Sequence, residues 1–204
     1  MYRDFEPLQH ISLKVFLRND IWKRITAEGF REASHITRSI TIAWNKATLL
    51  NLVVRRALRN AAVREFYSVD PTEVLSDARR QEELFYRIFP AQVEIGSRRS
   101  STLDWMLSRT QDSTHQVAPR ELIHLLSEAR ESQLLRWEMG RASPPHSALF
   151  DAAAFKDALP EVSRAKLEQT LYAEYPALRE KLQQLEEARR SIHLRRWPAL
   201  GTCQ

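Results

Sequence analysis

Glycine is nearly missing from this sequence, with four in 204 residues. A sandwich or barrel rich in tight turns needs more, because glycine supplies the positive φ angles such turns use. Cysteine is as scarce: Cys203, in the tail, is the only one. No internal disulfide can form, and a cytoplasmic protein is the natural expectation. Long apolar runs are absent too. Leu52-Val53-Val54 is interrupted at once by Arg55-Arg56, so no transmembrane helix is expected. The N-terminus, "MYRDFEPLQH", lacks the apolar core of a signal peptide.

The motifs of self-contained catalysis are missing as well. There is no G-x-x-x-x-G-K-[ST] loop to cradle phosphates, and no G-x-G-x-x-G after a strand. His10, His35, His115, His124, His146 and His193 are scattered, and none pairs with Cys or another His at ligand spacing. No Ser sits in a nucleophile elbow. These residues support no complete active site and no bound cofactor or metal.

What is present reads as helix. Leu, Ala, Glu and Arg dominate. With 43% hydrophobic and 28% charged residues, the chain belongs among globular rather than disordered sequences. Its length suits one ordinary domain or two small ones. The net charge of +5 and the isoelectric point near 9.6 suit acidic partners such as nucleic acid or phosphates. A merely solvated helical surface fits the same charges, since many Arg have Glu nearby.

The N-terminal part differs. Ile11, Leu13, Val15 and Leu17 alternate with Ser12, Lys14 and Phe16, a period of two that predicts a β-strand ending at Arg18-Asn19-Asp20. "IWKRITAEG" follows as a short helix, with Asp20 near its start and Gly29 at its end. "SITIAW" (39–44) predicts a second strand. From Asn45 the period becomes helical, with Leu49, Leu50, Val53, Val54, Ala57, Leu58 and Ala61 on one face. Asp70-Pro71-Thr72-Glu73 starts a helix that is expected to continue through "LFYRIF" to Pro90. Ser101 and Asp104 form a capping-box-like start for "TLDWMLSR". Pro119 opens a long helix lined by Leu122, Leu125, Leu126 and Ala129.

"GRASPPHS" (140–147) reads as a linker. Helical segments are expected beyond it at 149–159, ended by Pro160; at 163–174, capped by Ser163; and at 177–195. The expected organisation is therefore a piece with β-character (1–44), a helical block (45–141) and a helical tail (142–204). Two short strands make no stable sheet alone. Their partners must come from another polypeptide or from an upstream part of a longer protein.

"VFLRND", "SITIAWNKATLLNLVVRRAL" and "VAPRELIHLLSEA" occur in an order that resembles the C-terminal half of bacterial, AAA-related P-loop ATPases of the STAND type. The resemblance covers most of residues 10–190, including "ALPEVSRAKLEQTLYAEYP". It implies a mainly α-helical protein: one or two short strands left from an α/β core, then a helical lid and a helical tail. The phosphate-binding loop and acidic metal-binding strand of such ATPases would lie upstream.

By this resemblance Arg18 would sense the γ-phosphate, with Asp20 orienting it or capping the next helix. The same residues also read as an ordinary strand-to-helix corner with Arg18 solvated. Arg120, in Pro119-Arg120-Glu121, would be the second sensor, reaching from a helix start to the nucleotide; ordinary helix initiation explains it equally. Trp44 would pack at the junction of core and lid. Arg55 and Arg56 would face a phosphate or neighbouring subunit, or simply lie on the surface.

In the tail, the two segments joined by "PEVS" form either a helix-turn-helix or a helical hairpin that completes the lid. In the first case Arg164, Lys166 and Gln169 are the candidate nucleic-acid contacts. Leu178, Leu182, Leu185 and Ile192, near heptad spacing, suit a packing face or a short coiled coil, followed by the basic "RRSIHLRRW".

The expected function is thus the sensor and lid portion of a P-loop ATPase, inactive alone, as a split subunit, a fragment or a truncated reading frame. ATP and Mg would bind only with a separately encoded N-terminal half. The alternatives are a small basic nucleic-acid-binding protein or a helical interaction module, including a homo-oligomer.

Overall fold

The computed structural model describes residues 10, 14–17, 19–27, 40–112, 115–142, 148–172, 176–177 and 179–185. The protein is mainly α-helical. Its chain divides into two units, Met1–Ala43 and Trp44–Gln204.

In the first unit, α1 spans Asn19–Ala27. The strand expected at 11–17 is not formed where it is described: residues 14–17 carry no regular structure, and Phe16 is 81% exposed. Residues 11–13 and Arg18 lie outside the described residues. The second expected strand fails likewise. Residues 40–44 are irregular, and Ile40 is 93% exposed. Apolar alternation is a demand for strand neighbours, and without a sheet to join such a segment stays solvated.

The second unit begins with α2, Lys46–Ala57. Asn45 caps it: its side chain accepts from Thr48 N at 2.9 Å, and Thr48 Oγ1 accepts from Asn45 N at 2.9 Å. Two donors at the helix start, the amides of Asn45 and Thr48, are thereby satisfied reciprocally. Leu49, Leu50, Val53 and Val54 form its buried stripe, as the sequence suggests. α3 (Ala61–Tyr67) ends at Ser68 in a left-handed conformation. α4 (Pro71–Ser76) starts on Asp70, whose carboxylate accepts from Thr72 N at 2.8 Å and Glu73 N at 3.0 Å.

The single helix expected from Pro71 to Pro90 is instead two. Asp77 is extended (φ −131°, ψ 123°), closing α4 and capping α5 (Ala78–Ile88) by accepting from Arg79 N. A short acidic side chain that bonds the backbone two residues ahead competes with the helix here.

α6 (Thr102–Thr110), α7 (Pro119–Glu138) and α8 (Ala152–Lys166) follow, the last passing into a π-helical turn at Leu167–Leu171. Ser101 caps α6 as expected, and Asp104 continues to Lys46 at 2.6 Å, tying α6 to the start of α2. An isolated antiparallel bridge between Gln111 and Val117 closes the turn before α7.

α8 overturns the expected break at Pro160. One helix runs through that proline, so neither a helix-turn-helix nor a hairpin forms at "PEVS". The reason is the buried stripe Ala154, Phe155, Ala158 and Val162, which crosses the proline without interruption while Pro160 itself is exposed. An interior proline costs about 3 kcal/mol. Burying one Phe or Val contributes about 1.5–3 kcal/mol, so Phe155 and Val162 together outweigh it.

The core is one cluster that α8 shares. Phe155 faces Phe89 (6.0 Å between centroids), Phe150 (5.8 Å) and Trp105 (6.3 Å). Leu149 N donates to Ile88 O at 2.9 Å, fastening the return chain to the end of α5. The linker "GRASPPHS" therefore does not separate two cores. Among the described residues, no helix is long and apolar enough to cross a membrane.

Candidate functional site

Arg120 is the second residue of α7, after Pro119. The residue before the helix is Ala118, which makes no side-chain cap, so first-turn amides of α7 have no side-chain acceptor. The Arg120 guanidinium is 75% exposed and meets Glu121 Oε1 at 3.0 Å. One turn on, His124 Nε2 lies 3.4 Å from Glu128 Oε1.

The C-terminal end of α8 packs against this corner. Arg120, Glu121 and His124 line a shallow cleft with Ala165, Lys166 and Gln169. Two sets of residues singled out for different reasons, Arg120 on one side and Lys166 and Gln169 on the other, thus share one place. Gln169 sits on the π-helical turn, a local distortion that recurs at functional positions.

The cations of this corner are not equally available. Lys166 Nζ donates to Gln111 O at 2.8 Å and Thr110 O at 3.3 Å, closing the C-terminus of α6. Those carbonyls have no helical partner, and a cation there also meets the negative end of the helix dipole. Arg164 is not part of the cleft. It is held between Glu161 (2.6 Å) and Glu168 (3.2 Å). The hydrogen bond from Arg164 holds Glu161 below the usual carboxylate range, and the same bond raises Arg164.

Among the tail candidates, then, Arg164 is paired with carboxylates, Lys166 is bonded to backbone and Gln169 is exposed on the cleft. Asp20 is the second residue of α1, near its start as expected, and Arg18 lies outside the described residues. Trp44 is partly exposed at the head of the second unit. Of the heptad-like positions, Leu182 and Leu185 lie in helix, with Leu185 66% exposed, whereas Leu178, Ile192 and the basic run lie outside the described residues.

The cleft is mixed in charge. Its guanidinium is exposed but paired with the Glu121 carboxylate, beside an imidazole and an amide, so an anion entering it would replace Glu121 as the partner of Arg120. The cleft encloses about 50 Å³. Sites for whole small molecules or cofactors run to about 300–1,000 Å³, so a nucleotide does not fit within it and only an edge of one would reach it. Among the described residues, no three His, Cys, Asp or Glu side chains converge as a metal site would require.

Sequence reasoning missed Glu121 and His124 as cleft residues. The available signal was the i, i+4 spacing of Arg120 and His124, which places them on one face of a helix. Compared with known proteins, the chain matches no family model, no curated protein and no solved structure.

Proposed function

We propose that this chain is the sensor and lid portion of a P-loop ATPase-like protein, supplying arginines to a nucleotide that another polypeptide holds. The observation that carries the reading is the contrast between the two units. The helical unit has a finished core, whereas the segments beside Arg18 and before Trp44 expose Val15, Phe16, Leu17, Ile40 and Ile42. Alternating apolar segments of that kind suit insertion into a sheet supplied from outside.

Arg120 supports the same reading from the lid side. The Arg120 guanidinium, exposed but paired with Glu121 in a cleft too small for a nucleotide, suits contact with the phosphate edge of a ligand bound elsewhere, which would replace Glu121 as its partner. Arg18, with Asp20 beside it, would contact the γ-phosphate once the segment before it joined that sheet. ATP and Mg would then be held by the separately encoded half, in the cytoplasm.

The test is the reading frame immediately upstream of the gene. A frame encoding a P-loop followed by an acidic strand supports a split ATPase. An upstream region coding for neither removes the proposed partner and with it the reading.

A further inference from the structure

A second feature of the helical unit involves none of the residues that line the Arg120 cleft and is independent of any nucleotide. From Ala33 to Arg64 the sequence contains no Asp or Glu, yet it carries Arg38, Lys46, Arg55, Arg56, Arg59 and Arg64. In the structure two of these cations have local tasks. Lys46 pairs with Asp104, and Arg64 Nη1 donates to Leu58 O at 2.7 Å and Arg59 O at 3.2 Å, closing the end of α2.

Arg55, Arg56 and Arg59 have none. All three are exposed around the last turn of α2 and the corner after it. The spacings i, i+1 and i+4 place them on one side, away from the buried Val53, Val54 and Leu58. Among the described residues none of the three has an ion-pair partner; Arg55 makes only a long 3.5 Å bond to Asn51. Arginines elsewhere on this unit commonly face carboxylates, as Arg79 does with Glu83, Arg80 with Glu73 and Arg130 with Glu131. The helix-end carbonyls do not explain the cluster either, because Arg64 already bonds the carbonyl of Leu58.

We infer that Arg55, Arg56 and Arg59 form a docking surface for the phosphodiester backbone of double-stranded nucleic acid. Three exposed arginines at one helix end, none paired with a carboxylate, match successive phosphates in charge and in hydrogen-bonding capacity. Their exposed neighbours Asn60, Ala61 and Ala62 are small. Such a surface can approach a groove edge closely. The contact is to backbone and so independent of base sequence.

The test is fluorescence anisotropy of the full chain with a labelled mixed-sequence DNA duplex of about 20 base pairs, between about 50 and about 200 mM salt. Replacing all three arginines by alanine should weaken binding at least about tenfold and flatten the salt slope by about 2.7, that is about 0.9 for each lost phosphate contact. The corresponding lysine triple should keep the slope. Circular dichroism should find the fold of both variants unchanged, since all three side chains are exposed. An unchanged slope in the alanine variant overturns the inference. So does wild-type protein that binds polyglutamate as tightly as DNA, which would assign the patch to an acidic protein surface.

Discussion

Replacing Pro160 by alanine should stabilise the protein, and the sign of the change is the informative part. Pro160 is the ninth residue of α8, exposed, with buried residues of one continuous stripe on both sides. In a helix interior proline lacks the N–H that would bond the carbonyl four residues back, at Lys156, and costs about 3 kcal/mol relative to alanine. Alanine in turn frees the unfolded chain, which offsets about 0.4–1 kcal/mol. The net expectation is a gain of about 2 kcal/mol. For a domain of this size that raises Tm by about 4–8 °C. Urea denaturation followed by helical circular dichroism measures it directly. Had residues 160–163 been a turn, proline would be favourable there and its removal would cost about 0.4–1 kcal/mol. Ser163→Ala gives a second sign. As the cap of a separate helix Ser163 would cost about 0.5–2 kcal/mol to remove, whereas within one helix alanine is neutral to slightly better. Destabilisation by both substitutions would refute the continuous helix.

Phe155→Ala should cost about 3–5 kcal/mol in the same assay, because the fully buried ring joins α8 to Phe89, Phe150 and Trp105. Lys166→Met keeps the apolar stem but leaves the carbonyls of Thr110 and Gln111 without their donor, and should cost about 1–2 kcal/mol. The Lys46–Asp104 pair should shape the edges of the pH–stability curve. The bond from Lys46 lowers Asp104 below its ordinary 3.8, so its contribution is complete above that value and lost as pH falls through the lowered one. The bond to Asp104 raises Lys46 above 10.5, so its contribution is complete below that value and lost as pH rises past it. Both side chains are about half exposed, so Lys46→Met should reduce stability between these limits by no more than about 1 kcal/mol and flatten both edges.

Much of the helical unit was legible because its signals are local. Asp70-Pro71 and Ser101 with Asp104 act through bonds two or three residues long, and the stripe of α2 is a matter of period. The errors came where a local rule met a longer-range one. Pro160 reads as a helix end, but the stripe from Ala154 to Val162 decides otherwise because both halves have the same core to enter. Asp77 reads as an ordinary surface residue of a long helix, and only its bond to Arg79 N shows that it divides one helix from the next. The strand expectations at the N-terminus had the right period and no sheet to satisfy it. The cleft was out of reach for a different reason. Arg120 and His124 are neighbours on α7, but Lys166 and Gln169 join them only because α7 and α8 pack together.

The central claim, that this chain completes a nucleotide site it does not itself contain, is tested most directly by steady-state ATP hydrolysis. Three samples are compared: this chain alone, the product of the upstream reading frame alone, and the two mixed. No turnover by this chain alone is expected, with hydrolysis by the mixture exceeding that of the upstream product and falling about 10²–10³-fold when this chain carries Arg120→Ala. Turnover by this chain alone, or a mixture no faster than the upstream product, would contradict the account.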